Sequence, residues 1–143
     1  MLVFVRTDCP TSNRYAPEMR RLYDKYAPRN AVFWLVYVDP AETPTQIRRH
    51  LAEYDYPLPA VRDTRHALVD RSEVAVTPEV AVFAPGGALV YRGRIDNRYT
   101  DFGKGRAVPT RRDLEEALDA VLMGRPVVQA RTPAVGCYIE DLR

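Results

Sequence analysis

The sequence predicts an α/β domain in which a central mixed β-sheet is flanked by helices and followed by an extended C-terminal tail. Three observations predict it. Two short runs rich in β-branched and aromatic residues, Leu2 to Val5 and Ala31 to Val38, enclose a stretch with helical spacing. A capping box at Thr43-Pro44-Thr45-Gln46 opens a second helix. A Pro85-Gly86-Gly87 turn joins two further apolar runs ahead of a last amphipathic segment. The order is β-α-β-α, a connecting stretch, then β-β-α, with a domain over residues 1–125 and a tail over 126–143.

Taken in order, Leu2 to Val5 and the longer Ala31 to Val38 read as central parallel strands, the second buried on both faces. Between them Tyr15, Met19, Leu22, Tyr23 and Tyr26 recur at helical spacing from Pro10, and Pro17 is expected to kink this helix by removing a backbone bond. Ile47, Leu51 and Tyr54 extend the second helix to about Tyr54. Ala60 to Arg62 is a short strand and Arg65 to Glu73 a short helix. Val80 to Ala84 pairs with Ala88 to Tyr91 as an antiparallel hairpin. Asn97 to Pro109 reads as a surface loop. Thr110 is expected to cap a last helix carrying Leu114, Leu118, Val121 and Leu122, which ends at Gly124 and Pro126. Pro126, Pro133 and Gly136 then suggest an extended path over the surface.

Composition narrows the function. The 143 residues are 46% apolar and 28% charged, which suits one globular domain. A formal charge of +2, with arginines scattered rather than clustered, gives no nucleic-acid stripe. No apolar run approaches a membrane span, and Met1 to Val5 stops at Arg6, so neither a span nor a secretory leader is expected and the reading is cytoplasmic, with an extracytoplasmic place the alternative if the N-terminus is trimmed. His50 and His66 lack metal-ligand spacing, and no glycine-rich phosphate loop is present, so no metal and no cofactor is expected.

Two cysteines remain. Cys9 stands at the end of the first strand, one residue before the helix begins at Pro10, where unpaired N–H groups and the helix dipole favour a thiolate. Asp8 opposes this by like charge, and Arg6 and Arg14 offset it only if they point into the site. Cys9 reads either as a partly exposed nucleophile that titrates below a free cysteine or as an inert thiol at a strand end. Cys137 reads either as its resolving partner, as a half-buried structural cysteine, or as one that pairs with another molecule. A bridge between them would close a loop of about 130 residues, worth roughly 4–5 kcal/mol if unstrained. Thr77-Pro78 stands before the strand at Val80, where a cis bond costs only about 0.5–1 kcal/mol; a trans proline opening a strand is the alternative. Arg92 and Arg94 share one strand face, either pairing with Glu79, Asp96 or Asp101 or sending one guanidinium to the thiolate.

Cys9-Pro10-Thr11-Ser12 in the place of a C-x-x-C motif, Ala16-Pro17 within the helix and Thr77-Pro78 before a strand together resemble the thioredoxin superfamily. The element order is also that of a thioredoxin-like fold. The resemblance implies that Cys9 is the nucleophile, that Pro78 is cis and faces it, and that the backbone at Thr77 and Pro78 pairs with an extended substrate. Pro78-Glu79, the run Val82 to Asp96 with Tyr91-Arg92-Gly93-Arg94-Ile95-Asp96, the helix Asp113 to Ala120 and Gly136-Cys137-Tyr138-Ile139 are similar to the bacterial peroxiredoxin-like redoxins, related to alkyl hydroperoxide reductase and thiol-specific antioxidant proteins. Members of that family usually carry strands before the one starting here at Leu2, so the chain reads as a trimmed or short version.

The resemblance thus implies a thiol-dependent redox protein with catalytic residues Cys9, Cys137, Pro78 and Thr77. Its partners would be a disulfide or oxidised-thiol substrate and an external thiol reductant; the oligomeric state stays open, with a homodimer among the options. True peroxiredoxins place a threonine or serine three residues before the peroxidatic cysteine, and Arg6 stands there, so peroxidase activity is expected to be weak. Ser12 cannot form a disulfide, and with Arg6 it favours the alternative: a redoxin scaffold that binds an extended peptide without turnover.

Overall fold

The structure, a computed structural model, describes residues 1–142. Its main sheet has five strands in the order β3 (Ala60–Arg62), β2 (Trp34–Tyr37), β1 (Leu2–Val5), β5 (Glu79–Phe83) and β6 (Leu89–Gly93). β1 (Leu2–Val5) lies parallel to β2 (Trp34–Tyr37), Phe4 opposite Val36, and β2 runs parallel to β3 (Ala60–Arg62). Strand pairing reaches only from Trp34, and Trp34 is itself 40% exposed, so the strand expected from Ala31 is shorter and its first residue is not buried. Parallel neighbours need a crossover, supplied by the first helical segment.

That segment is two helices rather than one kinked helix. α1 (Pro10–Arg14) ends at Tyr15, and α2 (Ala16–Tyr26) begins one residue before Pro17. Pro17 thus sits in a first turn, where its missing N–H costs nothing. α3 (Pro44–Glu53) carries the expected box: Thr43 Oγ1 accepts the Gln46 N–H at 3.2 Å and Gln46 Oε1 accepts the Thr43 N–H at 2.7 Å. α4 (Ala67–Ser72) follows β3. Next come β4 (Val76–Thr77), β5 (Glu79–Phe83), antiparallel to β1, and β6 (Leu89–Gly93), its hairpin partner.

Residues 97–109 are not a plain loop, because β7 (Tyr99–Asp101) and β8 (Lys104–Gly105) form a small hairpin that lays Tyr99 edge-on against Tyr15 at 5.6 Å. Thr110 does not cap α5 (Asp113–Leu122). Its hydroxyl accepts from the Asn97 side chain, whose oxygen in turn takes the N–H groups of Thr110 and Arg111, so the helix starts later, with Arg112 at the cap position.

Two apolar clusters pack against the sheet. Val3, Val5, Met19, Leu22, Phe33, Leu35, Val80, Tyr91 and Leu114 belong to one, and Phe4, Val36, Val38, Val69, Val74 and Ala81 to the other. Among the described residues no helix is long and apolar enough to cross a membrane.

Beyond α5 the chain runs along two edges. Residues 130–132 follow β6: the Arg92 N–H donates to Ala130 O and the Thr132 N–H to Arg92 O. Buried Thr132 crosses over Gly93, at φ 149°, where any Cβ would lie 2.2 Å from its Oγ1. The tail then forms β9 (Cys137–Tyr138), antiparallel to β4, with Thr77 opposite Cys137 and Val76 opposite Tyr138. Part of the expected surface path is therefore a paired strand.

Candidate active site

Four residues chosen from the sequence meet where β1 ends, α1 begins and β4 pairs with β9. Cys9 is the N-cap of α1: its Sγ accepts the Ser12 N–H at 3.5 Å, and its thiol donates to Thr77 O at 3.1 Å. The Thr77–Pro78 bond is cis, as expected. Cys137 stands opposite Thr77 in the β4–β9 pair, on the side of Cys9, and the Thr77 hydroxyl donates to Cys137 O at 3.5 Å. Both cysteines are free thiols.

One expectation fails. Cys9 is 0% exposed rather than partly exposed, because the tail lies over it. Buried thiols normally titrate high. Burial does push Cys9 up, but the donor groups around its sulfur, the Cys137 and Ser12 side chains, the Thr77 side chain and the Ser12 N–H, outweigh it, and the net direction is below the ordinary cysteine value. Cys137 goes the other way, pushed up to about 12 by burial, by its hydrogen bond to Cys9 and by the charge on Cys9. The pair is therefore asymmetric, Cys9 shifted toward the thiolate and Cys137 toward the thiol.

Arg6 is the cation that reaches this pair. Its charge favours the Cys137 thiolate, while its guanidinium pairs with Asp8 at 3.1 Å and Asp39 at 3.6 Å. The arginines of β6 and its end do not serve that purpose. Arg92 lies 4.0 Å from Glu79 and donates to Glu73 O, and Arg94 pairs with Asp113 at 2.8 Å. Arg14 borders a surface groove beside Asp8.

Several supporting residues carry no sequence signal. Glu79 folds back so that Oε2 accepts the N–H groups of Ala75 at 2.8 Å and Val76 at 3.3 Å, which holds β4 and the Thr77 carbonyl in place. Buried Glu42 accepts the Thr7 N–H at 2.5 Å; burial raises its carboxyl above the usual range despite that bond. Asn13 donates to Thr7 O at 3.0 Å, and its oxygen accepts from His50 Nε2 at 2.7 Å, which leaves Nδ1 to accept from Tyr37 O–H at 2.8 Å. Burial holds His50 below the ordinary histidine value, and through its two ring nitrogens the side chain braces α1, α3 and β2. His66 Nε2 donates to Val38 O at 2.7 Å. Among the described residues no group of three or more His, Cys, Asp or Glu could hold a metal ion.

This geometry makes a titration prediction. In a Cys137→Ser variant, which keeps a hydroxyl donor beside Cys9, thiolate absorbance should rise with a midpoint below about 8.5, the free-cysteine value. Cys137→Ala deletes the donor and should move that midpoint upward. A midpoint above 8.5 in the serine variant would show that Cys9 is not activated.

Solved structures share the architecture. An uncharacterised conserved protein from Geobacillus kaustophilus matches with a TM-score of 0.85 and 27% identity, over 98% of this chain and 75% of that one. A hypothetical protein from Sinorhizobium meliloti matches with a TM-score of 0.84 and 25% identity, over 96% of this chain and 76% of that one. A secreted Mycobacterium tuberculosis disulfide oxidoreductase matches with a TM-score of 0.57 and 15% identity, over 83% of this chain and 78% of that one, which is a likeness of fold. No curated protein matches the chain at a significant level. The family profile described as thioredoxin-like matches residues 1–89, the stretch holding Cys9, both strand crossovers and the cis-proline, and the chain belongs to that thioredoxin-like family.

Proposed function

We propose that this protein is a thiol-dependent redox protein in which the Cys9 thiolate is the nucleophile and Cys137 the resolving thiol. The observation that carries the reading is the β4–β9 pairing, which brings a cysteine from the far end of the chain beside the helix-capping one, the two shifted in opposite directions, Cys9 down and Cys137 up. Cys9 attacks one sulfur of a disulfide, forming a mixed disulfide and releasing the other half as a thiolate that takes a proton from water. Once Cys9 is bonded, its negative charge is gone, and with it one cause that holds the Cys137 proton. Cys137 then ionises and attacks the Cys9 sulfur. The substrate thiolate leaves and a Cys9–Cys137 disulfide remains, which an external thiol reductant resets. Thr77 and Pro78 shape the backbone against which the reacting sulfurs lie.

Mild stoichiometric oxidation followed by peptide mapping tests this directly. The expected product is a monomer without free thiols, with Cys9 and Cys137 linked; linkage between molecules, or two surviving thiols, would refute the resolving role.

Within the family, Tyr91-Arg92-Gly93-Arg94-Ile95-Asp96 and Gly136-Cys137-Tyr138-Ile139 support placement among the peroxiredoxin-like redoxins, with residues 1–125 as the domain and the later residues as its tail. A reducing compartment such as the cytoplasm, which would supply the external thiol, fits the same reading. Peroxide reduction itself should be slow. Arg6 is committed to two carboxylates and the Thr7 N–H to Glu42, while the position three residues before Cys9 that would orient a peroxide carries Arg6 in place of a hydroxyl. Stopped-flow loss of free thiol should give a second-order constant under about 10⁴ M⁻¹s⁻¹, the low end for evolved enzymes. A faster, Cys9-dependent rate would make it a peroxidase. The second reading, a binding module without turnover, is favoured by the complete burial of Cys9.

A further inference from the structure

We propose that β9 stands in for a substrate segment: the oxidised partner is an extended chain of the form glycine, cysteine, any residue, aliphatic residue, which docks on β4 in place of residues 136–139. This rests on the redox reading above and adds to it what the site selects. In the docked state Cys9 is 0% exposed, so no protein disulfide reaches it until the tail leaves. When the tail leaves, β4 loses its strand partner, and the backbone groups that had bonded residues 137–139, including Ala75 O, which accepts the Ile139 N–H at 3.0 Å, are left unpaired. Unpaired edge groups of this kind are satisfied by another extended chain.

The tail shows what such a chain must look like. A Cβ at Gly136 would lie 1.9 Å from Thr77 O and 2.6 Å from its carbonyl carbon, so the residue before the cysteine has no room for a side chain. Cys137 meets Cys9. Tyr138 is 80% exposed and contributes little, so that position tolerates any residue. Ile139 packs against the Phe4, Val36, Val38, Val69 and Val74 cluster, so that position suits an aliphatic side chain. The exchange need not unravel the domain. Thr132 stays anchored, its Oγ1 bonded to Tyr91 Oη at 2.7 Å and accepting the Arg94 N–H at 3.0 Å, so release is confined to the residues beyond it.

In the step itself, the Cys9 thiolate attacks the sulfur of the docked cysteine, its bond to the other half-disulfide breaks, and that half leaves as a thiolate that takes a proton from water. Return of the tail brings the Cys137 thiolate onto Cys9, and the docked cysteine departs reduced. Two electrons have passed from the protein thiols to the substrate disulfide, and an external dithiol restores them.

The test uses the full chain carrying Cys137→Ser, reduced, and a peptide with residues 133–140 of this sequence whose cysteine is bonded to 5-thio-2-nitrobenzoate; release of the coloured anion reports attack. Replacing the peptide's glycine by valine, or its isoleucine by serine, should slow release by about tenfold or more each, while replacing its tyrosine by serine should change it by less than about twofold. Adding Gly136→Val to the protein dislodges its own tail and should speed every peptide while keeping their order. Equal rates for all peptides, with normal attack on free dithiobis-nitrobenzoate, would overturn the selectivity and leave the redox reading standing. Slower reaction in the Gly136→Val protein would overturn competition by the tail. No reaction with either kind of disulfide would overturn both.

Discussion

Cys9→Ser is expected to reduce insulin-disulfide reduction to the uncatalysed background, a loss of roughly 10³-fold or more in the protein-dependent rate. Exchange at sulfur proceeds only from a thiolate. A serine hydroxyl at this position does not ionise near neutral pH, whatever hydrogen bonds surround it. Those same bonds keep the variant folded: an oxygen in place of Sγ still accepts the Ser12 N–H and still donates to Thr77 O, so the change in stability should be small. Cys137→Ser should behave differently. It keeps the nucleophile, so the first attack survives and a mixed disulfide accumulates, while steady-state turnover falls because no internal thiol resolves it. Turbidity from precipitating insulin chains, followed with dithiothreitol as reductant, reads the rates, and mass spectrometry of the quenched mixture reads the adduct. If Cys9→Ser retains half of the wild-type acceleration, the nucleophile lies elsewhere and the proposed mechanism is wrong.

The features that the sequence makes legible are those fixed by neighbours along the chain. The capping box at Thr43 and Gln46 is a contract among four consecutive residues, and it forms as expected. A cysteine between a β-branched run and a proline-initiated helix is equally local, and Cys9 becomes the N-cap. Thr110 shows how a distant group defeats a local rule, since Asn97 claims its hydroxyl and its N–H before the helix can. The little hairpin over residues 99–105 is hidden in the sequence because its strands are mostly exposed and show no apolar alternation. The β4–β9 pair is two residues long on each side, too short for periodicity to register, and it depends on a glycine whose contact lies far away in sequence. Burial of Cys9 follows from that pair and so is illegible for the same reason. Glu42 offers only an acid before a helix cap, with nothing to mark it as buried.

The largest effect on stability should come from Phe4→Ala. Phe4 is fully buried on β1, flanked by Val36 on β2 and Glu79 on β5, and it packs with Val36, Val38, Val69, Val74 and Ala81. Neighbours on a central strand are held by hydrogen bonds on both sides, so the site cannot collapse to fill the lost ring, and the cost is about 3–5 kcal/mol. Against a total of about 5–15 kcal/mol, that is a large share of the stability of the domain. The urea midpoint should fall by about 2 M for a slope near 2 kcal/mol per M. Phe102→Ala, at a side chain 59% exposed in the β7–β8 turn, should stay within about 0.5 kcal/mol of the parent and serves as control. Ile139 packs on the same cluster as Phe4, so the ring also backs the terminal strand. In Phe4→Ala the tail should loosen before the sheet unfolds, and Cys9 should react with iodoacetamide at urea concentrations below the midpoint seen by circular dichroism. A loss under about 1 kcal/mol would mean that the site relaxes, contrary to its place in the sheet. Thiol reactivity that rises only together with unfolding would show that tail docking does not depend on this part of the core.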